Sequence, residues 1–352
     1  MPCESSCKID AQLKETPLLH SVLRPLAHVS KRYLKIIVGI CWIVLGALLP
    51  FATSHAQANL PGRIEMHVVS STTMSGEEFL LGIKGRVVLL SGELRLPQGT
   101  TPKFPAVVLV HGSGGIGAAM DAWVHHLNQA GVATFVLDTF TGRGITSTVA
   151  DQTQLHSLTM MVDAYKALDL LAKHPRIDAS KISVMGFSKG AVASVFSAST
   201  RFKKAYGSSN TFASHIGLYT PCNSRYLGDT QLTGKPMRLF HGTTDDYVSV
   251  QPCRDYVKTL QQQGVNVTLT EYPDTEHAYD SPVLPKKLAF PTAQSTRNCM
   301  FVEKAPSQLV NEKTGEPFNY QDPCVALGAH VGHNADSTAQ TVKAVVEFLK
   351  TL

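Results

Sequence analysis

At 352 residues, with 32 Lys/Arg against 27 Asp/Glu, the chain carries a formal net charge of +5. Charged residues make up 17% and apolar residues 43%, a balance that excludes a disordered polyelectrolyte and can fill a sizeable core. Six of the Lys/Arg and three of the Asp/Glu fall in residues 1–58, leaving 26 against 24 for the remainder, a net of +2 with no basic stripe for nucleic acid.

Residues 1–58 read as a leader. A basic cluster, Lys31-Arg32-Tyr33-Leu34-Lys35, precedes the apolar run IIVGICWIVLGALLPFA (36–52) and then TSHAQA. These are the parts of a secretory signal peptide, with cleavage expected after Ala56 or Ala58 and a periplasmic or secreted product. The run slightly exceeds a usual signal core, so a retained membrane anchor through residues 36–52 is the competing expectation. Of seven cysteines, Cys3, Cys7 and Cys41 belong to the leader. Cys222, Cys253, Cys299 and Cys324 remain, and in an oxidising compartment they imply two disulfides with three possible connectivities. No C-x-x-C or metal-like Cys/His spacing occurs, so no metal is expected.

Residues 59–352 are expected to form a single α/β domain. Residues 64–70 and 86–96 read as strands, an antiparallel pair at a sheet edge. PAVVLV (105–110) is a continuous apolar run, as suits a strand buried on both faces. A helix over 118–130 and a strand over 132–138 follow. Apolar Leu158, Met161, Val162, Tyr165, Leu168 and Leu171 give residues 152–173 one helical face. KISVMG (181–186) reads as a strand, AVASVFSAS (191–199) as a helix, and 215–220, 237–242 and 267–273 as further strands before a closing helix over 336–351. Alternation of this kind implies a mostly parallel sheet covered on both faces. Residues 281–330 break the rhythm as a polar insert, which a Cys299–Cys324 bridge would staple.

VMGFSKGA (184–191) places Ser188 between Gly186 and Gly190, directly after a strand. The bland reading is a tightly packed turn; the sharper one is a nucleophile elbow, G-x-S-x-G. Chance supplies this pattern in roughly 0.1–0.2 of chains this long, so its surroundings decide. A serine hydroxyl needs a base, and the base needs an acid to hold its tautomer. On such sheets the order is Ser, Asp/Glu, His, each at a strand's carboxyl end. MRLFHGTTDDYVSV supplies Asp245 in that position, with Asp246 as the alternative or as a cap for a helix starting near Ser249. TEYPDTEHAYD then supplies His277, preferred over His330 and His333; His111 and His241 read as loop-bonding imidazoles. Oxyanion donors are expected from the amide of Lys189 and from Ser113 or Gly112 in HGSGG (111–115). The Lys189 side chain reads as solvated or substrate-facing. No cofactor is required for such chemistry.

VLVHGSGG (108–115), DTFTGRG (138–144), GFSKG (186–190), HGTTDDYV (241–248) and YPDTEHAYD (272–280) together resemble the dienelactone hydrolase family of α/β-hydrolases, in particular its exported branch. The resemblance runs from about residue 80 to 280, plus the closing helix. It implies an α/β-hydrolase fold, hydrolysis of small-molecule esters, and a disulfide between Cys222 of Tyr219-Thr220-Pro221-Cys222 and Cys253. The family's name-giving enzymes use a cysteine nucleophile, so Ser188 points toward general carboxylic esters. Arg143 is a candidate for holding a substrate carboxylate, with bonding to nearby carbonyls or Asp138 as the alternative. A prolyl-oligopeptidase-like amide hydrolase would share the core and residue order but normally brings a large extra domain; a non-catalytic binding protein could share the fold.

Overall fold

The computed structural model describes residues 62–352; the expected leader and its cleavage sites lie outside the described residues. Eight strands form the central sheet in the order β1-β2-β4-β3-β5-β6-β8-β9. β1 (Arg63–Thr73) pairs antiparallel with β2 (Arg86–Leu96), and β2 pairs antiparallel with β4 (Ala133–Asp138). From β4 the sheet runs parallel through β3 (Phe104–Val110), β5 (Ile177–Phe187), β6 (His215–Leu218), β8 (Met237–Gly242) and β9 (Val267–Tyr272). Between β1 and β2 lies the short helix α1 (Gly76–Leu80).

The continuous apolar run of β3 is explained by its two buried faces. Val108 and Val110 join one core cluster, while Val107 and Leu109 join the other. The first cluster is covered by α3 (Ser157–Leu171), α4 (Lys189–Phe196) and α6 (Gln251–Gln262), through residues such as Met161, Leu168, Phe196 and Tyr256. The second is covered by α2 (Ala118–Gln129) and α7 (Ala335–Leu349), through Trp123, Leu127, Val345 and Leu349. A sheet buried on both faces is the fold class read from the sequence.

Two boundaries differ from expectation. The helix expected over 152–173 begins only at Ser157: Asp151 caps a short 3-10 turn at Gln152–Gln154, and the His156 side chain then accepts from the Leu158 amide as the cap of α3. Residues 189–190, expected to be turn, are already helical in α4. The insert is not irregular. β10 (Leu288–Ser295) pairs with β13 (Ala326–Val331), while β11 (Phe301–Glu303) lies between β12 (Leu309–Asn311) and β7 (Ser224–Arg225), a strand outside the insert. Cys222–Cys253 and Cys299–Cys324 form the two disulfides. The helix α5 (Thr200–Tyr206) lies between α4 and β6.

Candidate active site

Ser188 stands between the end of β5 and the start of α4 with φ 52° and ψ −116°. A non-glycine residue there stores strain, which persists only where the surroundings enforce it. The flanking glycines do the enforcing. A Cβ on Gly186 would lie 2.1 Å from the Gly190 oxygen, and one on Gly190 would lie 2.2 Å from the Val110 oxygen. No larger side chain fits either place, which is why two glycines bracket this serine.

Asp245 and His277 converge on it. Ser188 Oγ is 3.0 Å from His277 Nε2, and His277 Nδ1 is 2.7 Å from Asp245 Oδ2. The other Asp245 oxygen accepts from the Tyr247 and Val248 amides at 2.9 and 2.8 Å, fixing the carboxylate's orientation. Asp245 and His277 are both buried. Burial alone would push the Asp245 carboxyl up; the His277 charge, with hydrogen bonds from His241 and His277, outweighs it and holds the group well below the usual carboxylate range. The His277 ring lies between Tyr219 and Tyr247, with centroids 4.5 and 4.8 Å away. Its carbonyl accepts from the Gly332 amide at 3.0 Å.

The competing residues are engaged elsewhere. Asp246 does not cap α6; its oxygens accept from the His330 amide and face His330 Nδ1, both at 2.7 Å. His333 Nδ1 lies 2.8 Å from the Tyr279 backbone carbonyl oxygen. His111 spans Gly112 and Thr139.

The Lys189 amide is the first N–H of α4, one of the helix-end donors without an acceptor inside the helix. The HGSGG loop packs on the serine: a Cβ on Gly112 would stand 3.3 Å from Ser188 Cβ. Ser113 is buried, and its hydroxyl donates to Gln152 Oε1 at 3.1 Å. The Lys189 side chain is not solvated. It is buried, and Nζ donates to the Gln152 backbone oxygen and to Oε1, both at 3.0 Å. Burial draws its pKa down to about 7, opposed only by the Asp151 charge. Gln152, which ties Ser113 to Lys189, has no motif to betray it; its role is set wholly by tertiary placement.

Arg143 does not face a substrate. Its side chain is buried, and all five N–H donors are taken: Nε by Thr73 Oγ1, and the two terminal nitrogens by Asp163 at 2.8 and 2.9 Å and by the Thr139 and Thr72 carbonyls. Asp163 sits on the buried face of α3, where an unpaired carboxylate would be costly, so Arg143 neutralises it. Sequence reasoning also passed over Asp280, in the same short run as His277. It is buried and accepts from Trp123 Nε1 at 2.7 Å and from the Tyr219 hydroxyl at 2.8 Å, thereby orienting the tyrosine beside His277.

A cavity of about 1050 Å³ opens beside Ser188, lined by Ser113, Gln152 and Lys189 and by aromatic residues that include Phe301 and Phe318. Among the described residues, Glu65, His67 and His174 could hold a metal ion, with one ligand atom each within 4.8 Å of the others. The Arg176 amide donates to His174 Nδ1 at 3.2 Å, which leaves the ring proton on Nε2 facing Glu65 Oε2. His67 Nε2, 3.4 Å from Glu65 Oε2, makes no hydrogen bond; Glu65 and His67 lie on β1 and His174 precedes the amino end of β5, whereas Ser188 follows its carboxyl end.

The sequence matches the model of the dienelactone hydrolase family over residues 90–298. No curated protein matches the chain. Among solved structures, a dienelactone hydrolase-like promiscuous phosphotriesterase from metagenomic libraries shares 14% identity at a TM-score of 0.51, covering 82% of this chain and 98% of that one. A dienelactone hydrolase-like protein from Klebsiella pneumoniae shares 10% identity at a TM-score of 0.51, covering 82% of this chain and all of the other. At such identities the likeness shows the fold.

Proposed function

The chain belongs to the dienelactone hydrolase family and is a hydrolase; from that premise we propose that it cleaves carboxylic esters through an acyl-enzyme on Ser188. The observation that carries the reading is the unbroken line from Ser188 Oγ through the His277 ring to Asp245, at 3.0 and 2.7 Å. His277 Nε2 takes the hydroxyl proton as Ser188 Oγ bonds to the ester carbon. The carbonyl oxygen becomes an oxyanion, received by the amides of Lys189 and of Ser113 or Gly112. Collapse breaks the bond to the alcohol oxygen, which leaves with the proton from His277. Water then attacks the acyl carbon, His277 takes its proton, and the carbon–Oγ bond breaks to free the acid and return the proton to Ser188. Asp245 stays ionised throughout and steadies the imidazolium.

Two disulfides fit an oxidising compartment. Among the described residues no helix is long and apolar enough to cross a membrane. We place the enzyme in the periplasm or outside the cell, with residues 1–58 as its leader and 59–352 as one domain carrying the insert 281–330. The test is turnover of p-nitrophenyl acetate. Ser188→Ala and His277→Ala should each lower kcat/KM by about 10³-fold or more while leaving the thermal midpoint nearly unchanged. Equal turnover in the wild type and Ser188→Ala would reject the proposal.

A further inference from the structure

Two chemically different groups of side chains line the cavity beside Ser188. One is polar and continuous by hydrogen bonding: Ser113, Gln152 and Lys189. The other is aromatic and continuous by ring contact: the Phe301 and Phe318 centroids are 4.0 Å apart, and those of Phe318 and Tyr320 are 5.3 Å apart. All three aromatic residues come from the insert. A cavity of about 1050 Å³ far exceeds what a small aliphatic ester needs and suits a ligand of drug-like size.

This aromatic wall is built before any ligand arrives. Glu303, the last residue of β11, is buried and accepts from both terminal nitrogens of Arg201, at 2.5 and 2.8 Å, and from the Leu227 amide at 2.9 Å. Asn223 donates across to the Thr296 and Cys299 carbonyls at 2.9 and 3.2 Å. Cys222–Cys253 anchors the chain just before β7, and Cys299–Cys324 closes the loop that carries Phe301, Phe318 and Tyr320. A preformed apolar surface spares a ligand the entropy of ordering it, and flat rings are what such a surface contacts best.

We infer that the insert forms a subsite for an aryl group of the ester substrate, on either its acid or its alcohol side. This rests on the esterase reading above. The test uses the full chain and three unactivated esters followed by acid release: ethyl acetate, methyl 2-naphthylacetate (aryl acid) and 2-naphthylmethyl acetate (aryl alcohol). At least one naphthyl ester should exceed ethyl acetate in kcat/KM by about tenfold, and the favoured arm identifies the side that the wall holds. Phe318→Ala and Tyr320→Ala should each cut that selectivity by about three- to tenfold, through KM. Phe318→Trp and Tyr320→Phe, which keep a ring, should retain it. Turnover of ethyl acetate without naphthyl preference, or selectivity indifferent to the alanine variants, overturns the subsite alone. If all three esters are inert and a fluorophosphonate leaves Ser188 unmodified, the esterase reading falls and the subsite with it.

Discussion

Ser188 is marked by the glycines two positions to either side, one packed on the other and one on Val110, whereas Phe301, Phe318 and Tyr320 depend on partners such as Arg201 and Asn223 that no nearby residue marks. Both regions line one cavity. The elbow is held by backbone sterics so tight that a single Cβ would lie 2.1 or 2.2 Å from a carbonyl oxygen. The wall is held by one buried carboxylate, one amide side chain and two disulfides, any of which could be exchanged for other residues that also fit. A constraint that only glycine meets leaves a readable motif, and one that many side chains could meet does not.

The sharpest way to break the contrast is a methyl group in the elbow. Gly190→Ala must displace the strand end at Val110, and should cost about 3 kcal/mol or more across the whole domain. The check is a thermal unfolding scan, which should show one transition shifted down and hydrolysis lost with it. A midpoint within a degree of the wild type would mean the elbow is looser than its contacts state.

The matching change in the wall is Cys299→Ser with Cys324→Ser. Opening a loop of 25 residues removes about 3 kcal/mol from the insert. Because the central sheet has its own core, hydrogen exchange should quicken at β11 and β12 and stay slow at β3 and β5. Uniform acceleration would show that insert and sheet unfold as one unit.

Acid should act on both regions through buried imidazoles. Burial holds His156, on the cavity, and His215, beneath α4, near pKa 4 against an ordinary 6.5. Between those values the unfolded chain binds the extra protons, so stability should be lost as pH falls from about 6.5 to 4, by up to about 3 kcal/mol per ring. A flat denaturant midpoint over that window would contradict the low pKa of both rings.

Lys189 extends the test to the alkaline side. Its folded pKa of about 7 lies below the ordinary 10.5. The unfolded chain therefore binds more protons between pH 7 and 10.5, and this residue's share of stability rises with pH there. Lys189→Met removes the slope, so the variant should gain most on the wild type at or below pH 7. A stability difference independent of pH would mean that the ammonium stays charged throughout.

How far the sequence carries follows the same division. The sheet was legible because β3 is an unbroken apolar run and because helical periods separate the strands. Ser188, Asp245 and His277 were singled out because each follows a strand end in a fixed order, and the folded chain brings them within hydrogen-bond reach. For Arg143 the alternative of bonding a nearby carbonyl holds at Thr139, but its acidic partner is Asp163 rather than Asp138, on a helix twenty residues on, in a face that periodicity marks as apolar. The solvated alternative for Lys189 fails because nothing local announces that Gln152 would fold over it. The strands of the insert escaped notice because β11 and β12 are three residues each and β11 pairs with β7, some 75 positions away.

The central claim is that Ser188 is a nucleophile activated by His277. Its most direct test is the rate of fluorophosphonate modification, with the label mapped by mass spectrometry in the wild type, Ser188→Ala and His277→Ala. The account predicts a single label on Ser188, none in Ser188→Ala, and labelling slowed by about 10³-fold or more in His277→Ala. A label elsewhere, or an unchanged rate without His277, would contradict it.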